Sequence, residues 1–425
     1  MKERVTLNRK EQGRLMVLNE VEKGGIRGGE AAELMGVSLR QERRLMVAYR
    51  EEGAAGLAHG NRGRRPPNAI DEDLKKQVVG LARGRYDGCN QQHYTELLKE
   101  REGIKLSRSS VRRILLADGV KSPRKRRPPQ HRRRRERYPQ EGMLLQIDGS
   151  PHDWFEGRGA AISLLGAIDD ATGKVPYALF REQEDSPGYF RLLQGVTERY
   201  GIPLALYHDR HSIFEVSPDE KETIAEQLAG KTKLTQFGRL MRDLAITSIS
   251  ALSPQAKGRI ERLWETFQDR LVSEMRLAGV STLEEGNCFL ETFLPRYNAR
   301  FAVPPTQPGT AYRKTSGLDL EAVFCFKHER VVGMDNVVRF QGQRLQVLPS
   351  PLRLSYARCH VQVHQQLDGT LKVYYQGGYL DTCRAPAEAS RRRELVATTD
   401  DNVERSHHPV TKPAQDHPWR QWVYR

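Results

Sequence analysis

Cysteine is scarce in this chain. There are five among 425 residues (Cys89, Cys288, Cys325, Cys359 and Cys383), scattered and odd in number, with no Cys-x-x-Cys pair. That excludes a disulfide framework and a structural zinc site, and it points to free thiols in a reducing compartment. Long apolar runs are missing too, so a segment of ~20 apolar residues spanning a bilayer is excluded. The opening residues Met1-Lys2-Glu3-Arg4 are charged where a secretion signal would need an apolar core. The last deficit, of acidic residues, is local. Residues 1–140 hold 34 Lys+Arg against 18 Asp+Glu, whereas 141–425 hold 35 against 36. The net charge of +15 therefore sits in the N-terminal third. Such asymmetry is the footprint of a polyanion-binding module on a nearly neutral body, the alternative being a solvated basic tail.

Helical spacing favours the module. Residues 1–58 read as three helices, the second ending at Gly36 and the third starting at Ser38, with Gln41 three residues on in a capping-box arrangement. A small-residue helix, a glycine turn and a capped basic helix make a helix-turn-helix pattern. Arg40, Gln41, Arg43 and Arg44 open the third helix, where a recognition helix meets base edges. A plain three-helix bundle with a charged face is the bland alternative. Residues 71–119 repeat the theme, with Ser107 capping a helix that carries Arg108, Arg112 and Arg113. The 59–70 linker between them contains Arg62, Arg64 and Arg65 around Gly63 and Pro66. It is similar to a minor-groove AT-hook with one extra arginine, or simply an ordinary basic linker. A second linker, 120–139, is too charged to pack. It includes Lys125, Arg126, Arg127, Arg132, Arg133 and Arg134 and suits a connection lying along phosphates.

From 140 to 300 the pattern becomes βββαβαβα, a mixed sheet flanked by helices. The strand at 143–148 alternates, with Met143, Leu145 and Ile147 facing one way and Gln146 and Asp148 the other, and it ends at Asp148. An apolar strand at 203–209 ends at Asp209, so as neighbours the two would deliver both carboxylates to one sheet edge. A helix from Pro254, with Ser253 as cap, carries the apolar stripe Ile260, Leu263, Trp264, Phe267 and Leu271. Glu261 sits at the edge of that stripe, able to lean towards the aspartates. Lys257 lies one turn earlier, placed to meet a DNA phosphate. Three carboxylates so delivered can hold a pair of divalent cations, a standard means of cutting and joining phosphodiesters. Asp153, Asp169, Asp170 and Glu265 rank below them as turn or surface residues, and His208 and His211 read more simply as strand-end polar groups. Residues 301–326 read as a linker, 327–383 as a small five-stranded β-barrel and 384–425 as a disordered polar tail.

The strings Leu145-Gln146-Ile147-Asp148-Gly149, His208-Asp209-Arg210-His211, Thr235-Gln236-Phe237-Gly238-Arg239 and Ser253-Pro254-Gln255-Ala256-Lys257-Gly258-Arg259-Ile260-Glu261 carry a family resemblance. Residues 140–300 resemble the RNase H-like catalytic core of DDE transposases and retroviral integrases, above all bacterial insertion-sequence transposases of the ISNCY group. The Gln-Ala-Lys-Gly run before the glutamate is the most specific of these strings. The resemblance implies a multidomain α/β protein with N-terminal all-α helix-turn-helix domains, an RNase H-like core and a C-terminal barrel. It implies Asp148, Asp209 and Glu261 as catalytic and metal-binding residues, with two Mg²⁺ (or Mn²⁺) ions. Double-stranded DNA, as element ends and target, is the expected partner, bound by a homo-multimer. The expected location is the bacterial cytoplasm at the nucleoid, with no membrane. One departure is that Asp209 and Glu261 are 52 residues apart, the excess falling in the charged stretch 215–233, which reads as a surface-loop insertion. The rival reading is a catalytically silent helix-turn-helix regulator.

Overall fold

Two kinds of periodicity become two bodies. The computed structural model describes residues 6–59, 61, 69–123, 128, 135–216, 234–251, 257–351 and 353–385. Outside them lie Arg62, Arg64, Arg65, Lys125, Arg126, Arg127, Arg132, Arg133, Arg134, the cap Ser253, most of the 215–233 insertion and the 386–425 part of the tail.

The first body comprises residues up to Asp87 together with Leu98–Lys121. Its helices are α1 (Arg9–Glu22), α2 (Gly28–Met35), α3 (Leu39–Glu52), α4 (Glu72–Arg83), part of α5 (Gln91–Arg101) and α6 (Arg108–Ala117). Asn8 and Glu11 close a capping box on α1. Gly36 ends α2 at φ +62°, a left-handed conformation that glycine adopts without steric cost. Ser38 accepts from the Gln41 amide at 3.3 Å, and Ser107 from Ser110 at 3.1 Å, as their positions before α3 and α6 require. Leu18, Leu45, Met46 and Leu57 form one small core.

The second body takes Gly88–Leu97 and the chain from Ser122 onward. The expected 71–119 module is therefore not self-contained. Glu96 accepts from Arg270 at 2.6 Å and from Arg300 at 2.8 Å, so ion pairs tie this short segment to the second body. The central sheet runs β3-β2-β1-β4-β5, from β1 (Leu145–His152), β2 (Ile162–Asp169), β3 (Tyr177–Arg181), β4 (Ala205–His208) and β5 (Thr247–Ser250). The first three strands are antiparallel, and β4 and β5 run parallel to β1. Helices α7 (Ser186–Arg199) and α8 (Gln236–Asp243) cover one face, sharing a core with Leu145, Ile147, Leu165 and Leu206. Helices α9 (Gly258–Leu277) and α10 (Leu283–Phe301) cover the other, where Ile260, Leu263, Trp264, Phe267 and Leu271 meet Leu164 and Phe180. Every residue of β2 is buried, as a strand sandwiched between helices must be.

Three expectations need correction. Asp148 does not end its strand, because β1 continues to His152. Among the described residues no strand pairs with β1 beyond Gln146 on the β4 side, so Pro151 sits on an edge where its missing N–H is tolerated. The 301–326 stretch is no free linker. Arg313 and Ile202 exchange backbone hydrogen bonds, α11 (Leu320–Val323) forms within it, and Phe324 is buried in the α7–α8 core. In the C-terminal part the described residues do not show the expected five-stranded barrel. Among the described residues seven strands, β6 (Cys325–Val331), β7 (Val337–Phe340), β8 (Gln343–Val347), β9 (His360–Gln366), β10 (Leu371–Tyr375), β11 (Gly378–Leu380) and β12 (Thr382–Arg384), form a four-stranded sheet β11-β10-β9-β6 and a three-stranded sheet β12-β8-β7. The chain crosses from one sheet to the other at Asp381, between β11 and β12, and no closed barrel is found among the described residues.

His364 on β9 tests this packing. It is buried, stacks on Tyr374 with ring centres 4.9 Å apart and lies 3.1 Å from the Tyr379 hydroxyl. Burial, with repulsion from Lys327 and Arg239 outweighing attraction to Asp319 and Asp243, lowers its pKa from 6.5 to about 4. The unfolded chain takes up this proton first, so stability is complete above pH 6.5 and falls as pH drops from 6.5 towards 4. Thermal unfolding of the full chain across that range measures the slope, and His364→Gln is expected to flatten it.

Candidate active site

The register of parallel strands builds the site. Gln146 on β1 pairs with Tyr207 on β4, and two residues further along each strand stand Asp148 and Asp209. Both side chains meet one ammonium group: Lys257 Nζ lies 2.9 Å from Asp148 Oδ1 and 3.4 Å from Asp209 Oδ2. The other Asp148 oxygen accepts from the Trp264 indole N–H at 3.0 Å. Asp209 Oδ1 also accepts from the His211 amide at 3.2 Å, the Asx turn expected after a strand. Burial opposes the charge on Lys257, but its bonds to Asp148 and Asp209 outweigh that and raise its pKa above the ordinary lysine value.

Lys257, Glu261 and Trp264 stand at i, i+4 and i+7, one stripe down the start of α9. Glu261 is exposed in the first turn, between the two groups that grip Asp148. Among the described residues no three acidic, histidine or thiol side chains close into a ready-made metal cage, and the two aspartates instead converge on the lysine. The ammonium stands in for a cation, and the oxygen donors around it are of the hard type that suits Mg²⁺. Lys257 is thus engaged by carboxylates rather than held out for phosphate, because two negative charges make the strongest local field.

The rivals fall out as turn and core residues. Asp153 accepts from the Gly157 amide at 3.0 Å. Asp169 accepts from Thr172 N at 2.7 Å and Gly142 N at 2.8 Å, closing the β2–β3 turn. His208 is buried, stacked on Phe214 and 2.8 Å from Ser248 Oγ. Two acids carry more than the sequence reading gave them. Glu184 bonds the Tyr189 hydroxyl and lies so close over Gly149 that a Cβ there would be 2.7 Å from its carboxylate. Asp170 is fully buried and gathers Arg135, Gln146 and Arg259. Its only sequence signal is that it follows an aspartate already sufficient for the turn. The arginines Arg40, Arg43 and Arg44 at the start of α3, and Arg108, Arg112 and Arg113 on α6, are exposed, while Gln41 is half-buried.

A homeodomain-like domain model matches residues 43–115, from α3 through most of α6. The putative transposase y4bF of Sinorhizobium fredii (strain NBRC 101917 / NGR234) is 35% identical over 377 residues, 88% of this chain and 80% of that protein. The transposase for insertion sequence IS1202 of Streptococcus pneumoniae is 30% identical over 367 residues, 78% of this chain and 77% of its own length. A chain in a simian T-cell lymphotropic virus intasome assembly aligns at 15% identity with a TM-score of 0.30, covering 73% of this chain and all of that one; such slight likeness places nothing. A helix-turn-helix front, a mixed α/β body and these relatives define an enzyme that acts on DNA. Within that class the chain belongs to the bacterial insertion-sequence transposases. Among the described residues no helix is long and apolar enough to cross a membrane.

Gly166, opposite Asp148 across the β1–β2 pairing, leaves room for the Trp264 ring, which a Cβ there would approach to 2.8 Å. Trp264→Phe removes the indole donor and keeps an aromatic, though smaller, ring against Gly166. It is expected to cost about 1.5 kcal/mol, the lower end for a bond to a charged group, because Asp148 keeps Lys257. Denaturant unfolding at neutral pH measures this, and an unchanged midpoint would show that the indole does not hold Asp148.

Proposed function

We propose that this transposase is of the DDE type, with Asp148, Asp209 and Glu261 as catalytic carboxylates and ligands of two Mg²⁺ (or Mn²⁺) ions. The observation that carries the reading is the cation already held between Asp148 and Asp209, on the helix stripe that includes Glu261. The strand order β3-β2-β1-β4-β5, three antiparallel and two parallel, supports an RNase H-like core. When bound, such ions activate an attacking oxygen and stabilise the leaving one.

The chain's own residues supply the rest. The helix-turn-helix front holds the element ends, with Arg40, Gln41, Arg43 and Arg44 and then Arg108, Arg112 and Arg113 offered to the duplex. The linker arginines and lysines neutralise phosphates, so affinity falls with salt. Water attack at the element end exposes a 3′-hydroxyl. That hydroxyl attacks a target phosphodiester in line, its new P–O bond forming as the target strand's bond breaks, without a covalent protein intermediate. Two ends must be joined together, so a homo-multimer assembles on DNA, at the nucleoid of the bacterial cytoplasm.

Purified protein, labelled element-end duplex and Mg²⁺ test this. Asp148→Asn, Asp209→Asn and Glu261→Gln are each expected to lower end cleavage and strand transfer by about 10³-fold or more while end binding persists. Full strand transfer by any of the three would remove that residue from the site.

A further inference from the structure

The first turn of α9 is held in an unusual way. Its N-terminal residue, Lys257, makes no side-chain capping bond. One of the amides a helix start leaves open, that of Ile260, donates instead to Gln146 Oε1 at 3.3 Å. Gln146 is fully buried on β1, two residues before Asp148. Its amide nitrogen donates to Asp170 Oδ1 at 3.0 Å. The same oxygen accepts from Arg259 Nε at 2.7 Å and from Arg135, while Asp170 Oδ2 accepts from the Tyr138 amide at 2.9 Å. Arg259 also donates to the Arg135 carbonyl at 3.2 Å. One buried carboxylate thus ties together the strand of Asp148, the helix start that carries Lys257 and Glu261, and residues 135–138.

We propose that Asp170 is a positioning residue for strand cleavage and transfer: through Arg259 and Gln146 it fixes the first turn of α9, and so Lys257 and Glu261, against Asp148. A hairpin turn needs no second aspartate, since Asp169 satisfies it. A buried charge costs several kcal/mol unless paired, and here the pairing is spent on joining the elements that must meet at the site. Buried networks of this kind act as units, so losing one member loosens all of them. This inference rests on the DDE reading for its catalytic part alone.

The test uses the full chain as Asp170→Asn and as Asp170→Asn/Arg259→Met, the second removing the guanidinium that the first leaves with a neutral partner. Hydrogen exchange across 257–264 is read without DNA or metal, alongside thermal stability, end-DNA affinity and the Mg²⁺ concentration for half-maximal end cleavage. The double variant is expected to regain thermal stability yet exchange faster at Ile260 and Glu261 and need about tenfold more Mg²⁺, as loss of an orienting partner behind metal ligands does. End-DNA affinity should not change. Wild-type exchange or wild-type Mg²⁺ need in the folded double variant would overturn the proposal, leaving Asp170 a core ion pair. Should Asp170→Asn alone fail to fold, the double variant carries the test. If exchange quickens but Asp148→Asn stays active, the DDE reading falls and the lock on α9 stands. If Asp148→Asn is inactive and the lock variants behave as wild type, the lock alone falls.

Discussion

A fully buried amide, Gln146, sets the constraint on which the junction of β1 and α9 depends. One face of β1 is apolar and belongs to a core. The other carries Gln146 and Asp148 into the interior beneath α9. Polar groups taken out of water need partners, and a helix start has amides to offer. Gln146 meets Ile260, and Asp148 meets Trp264 and Lys257, so satisfying the strand's polar face also sets where the helix begins. The same residues that would be liabilities in an apolar core therefore hold strand and helix in register.

Charge is divided along the chain with equal economy. The excess positive charge lies in the first 140 residues, and the remainder is close to neutral. Within the body, Asp170 and Glu96 are paired with arginines, while Asp148 and Asp209 meet around one lysine at the β1–β4 edge. A neutral body lets the helical front and linkers dominate long-range attraction.

Much of this was legible in the residues. The alternation around Ile147 put Asp148 and Gln146 on one face. Apolar runs at β2 and β4 announced strands covered on both sides, and the Ile260–Leu271 stripe announced the helix that covers them. The βββαβαβα order followed from those periods alone. What misled was local chemistry overruled at a distance. The first strand read as ending at Asp148, yet it runs on to His152 with Pro151 on an edge that accepts it. Residues 301–326 lacked periodicity, yet they pair with Ile202 and bury Phe324. The short strands of the C-terminal part turn a corner at Asp381 instead of closing on one another.

The sequence by itself determined that Gln146 and Asp148 share one face of a strand and that Glu261 lies on the same helix as the Ile260–Leu271 stripe, because side-chain direction follows from periods of two and of 3.6 that need no knowledge of neighbours. It also determined that the positive charge is concentrated in the first 140 residues, since charge is additive along a chain. Only the tertiary structure decided that Lys257 lies between Asp148 and Asp209, and that Asp170, not its neighbour Asp169, reaches Arg259 and Gln146. Those contacts join residues 24 to 109 positions apart, and no local period encodes which distant group arrives when the sheet and its helices close.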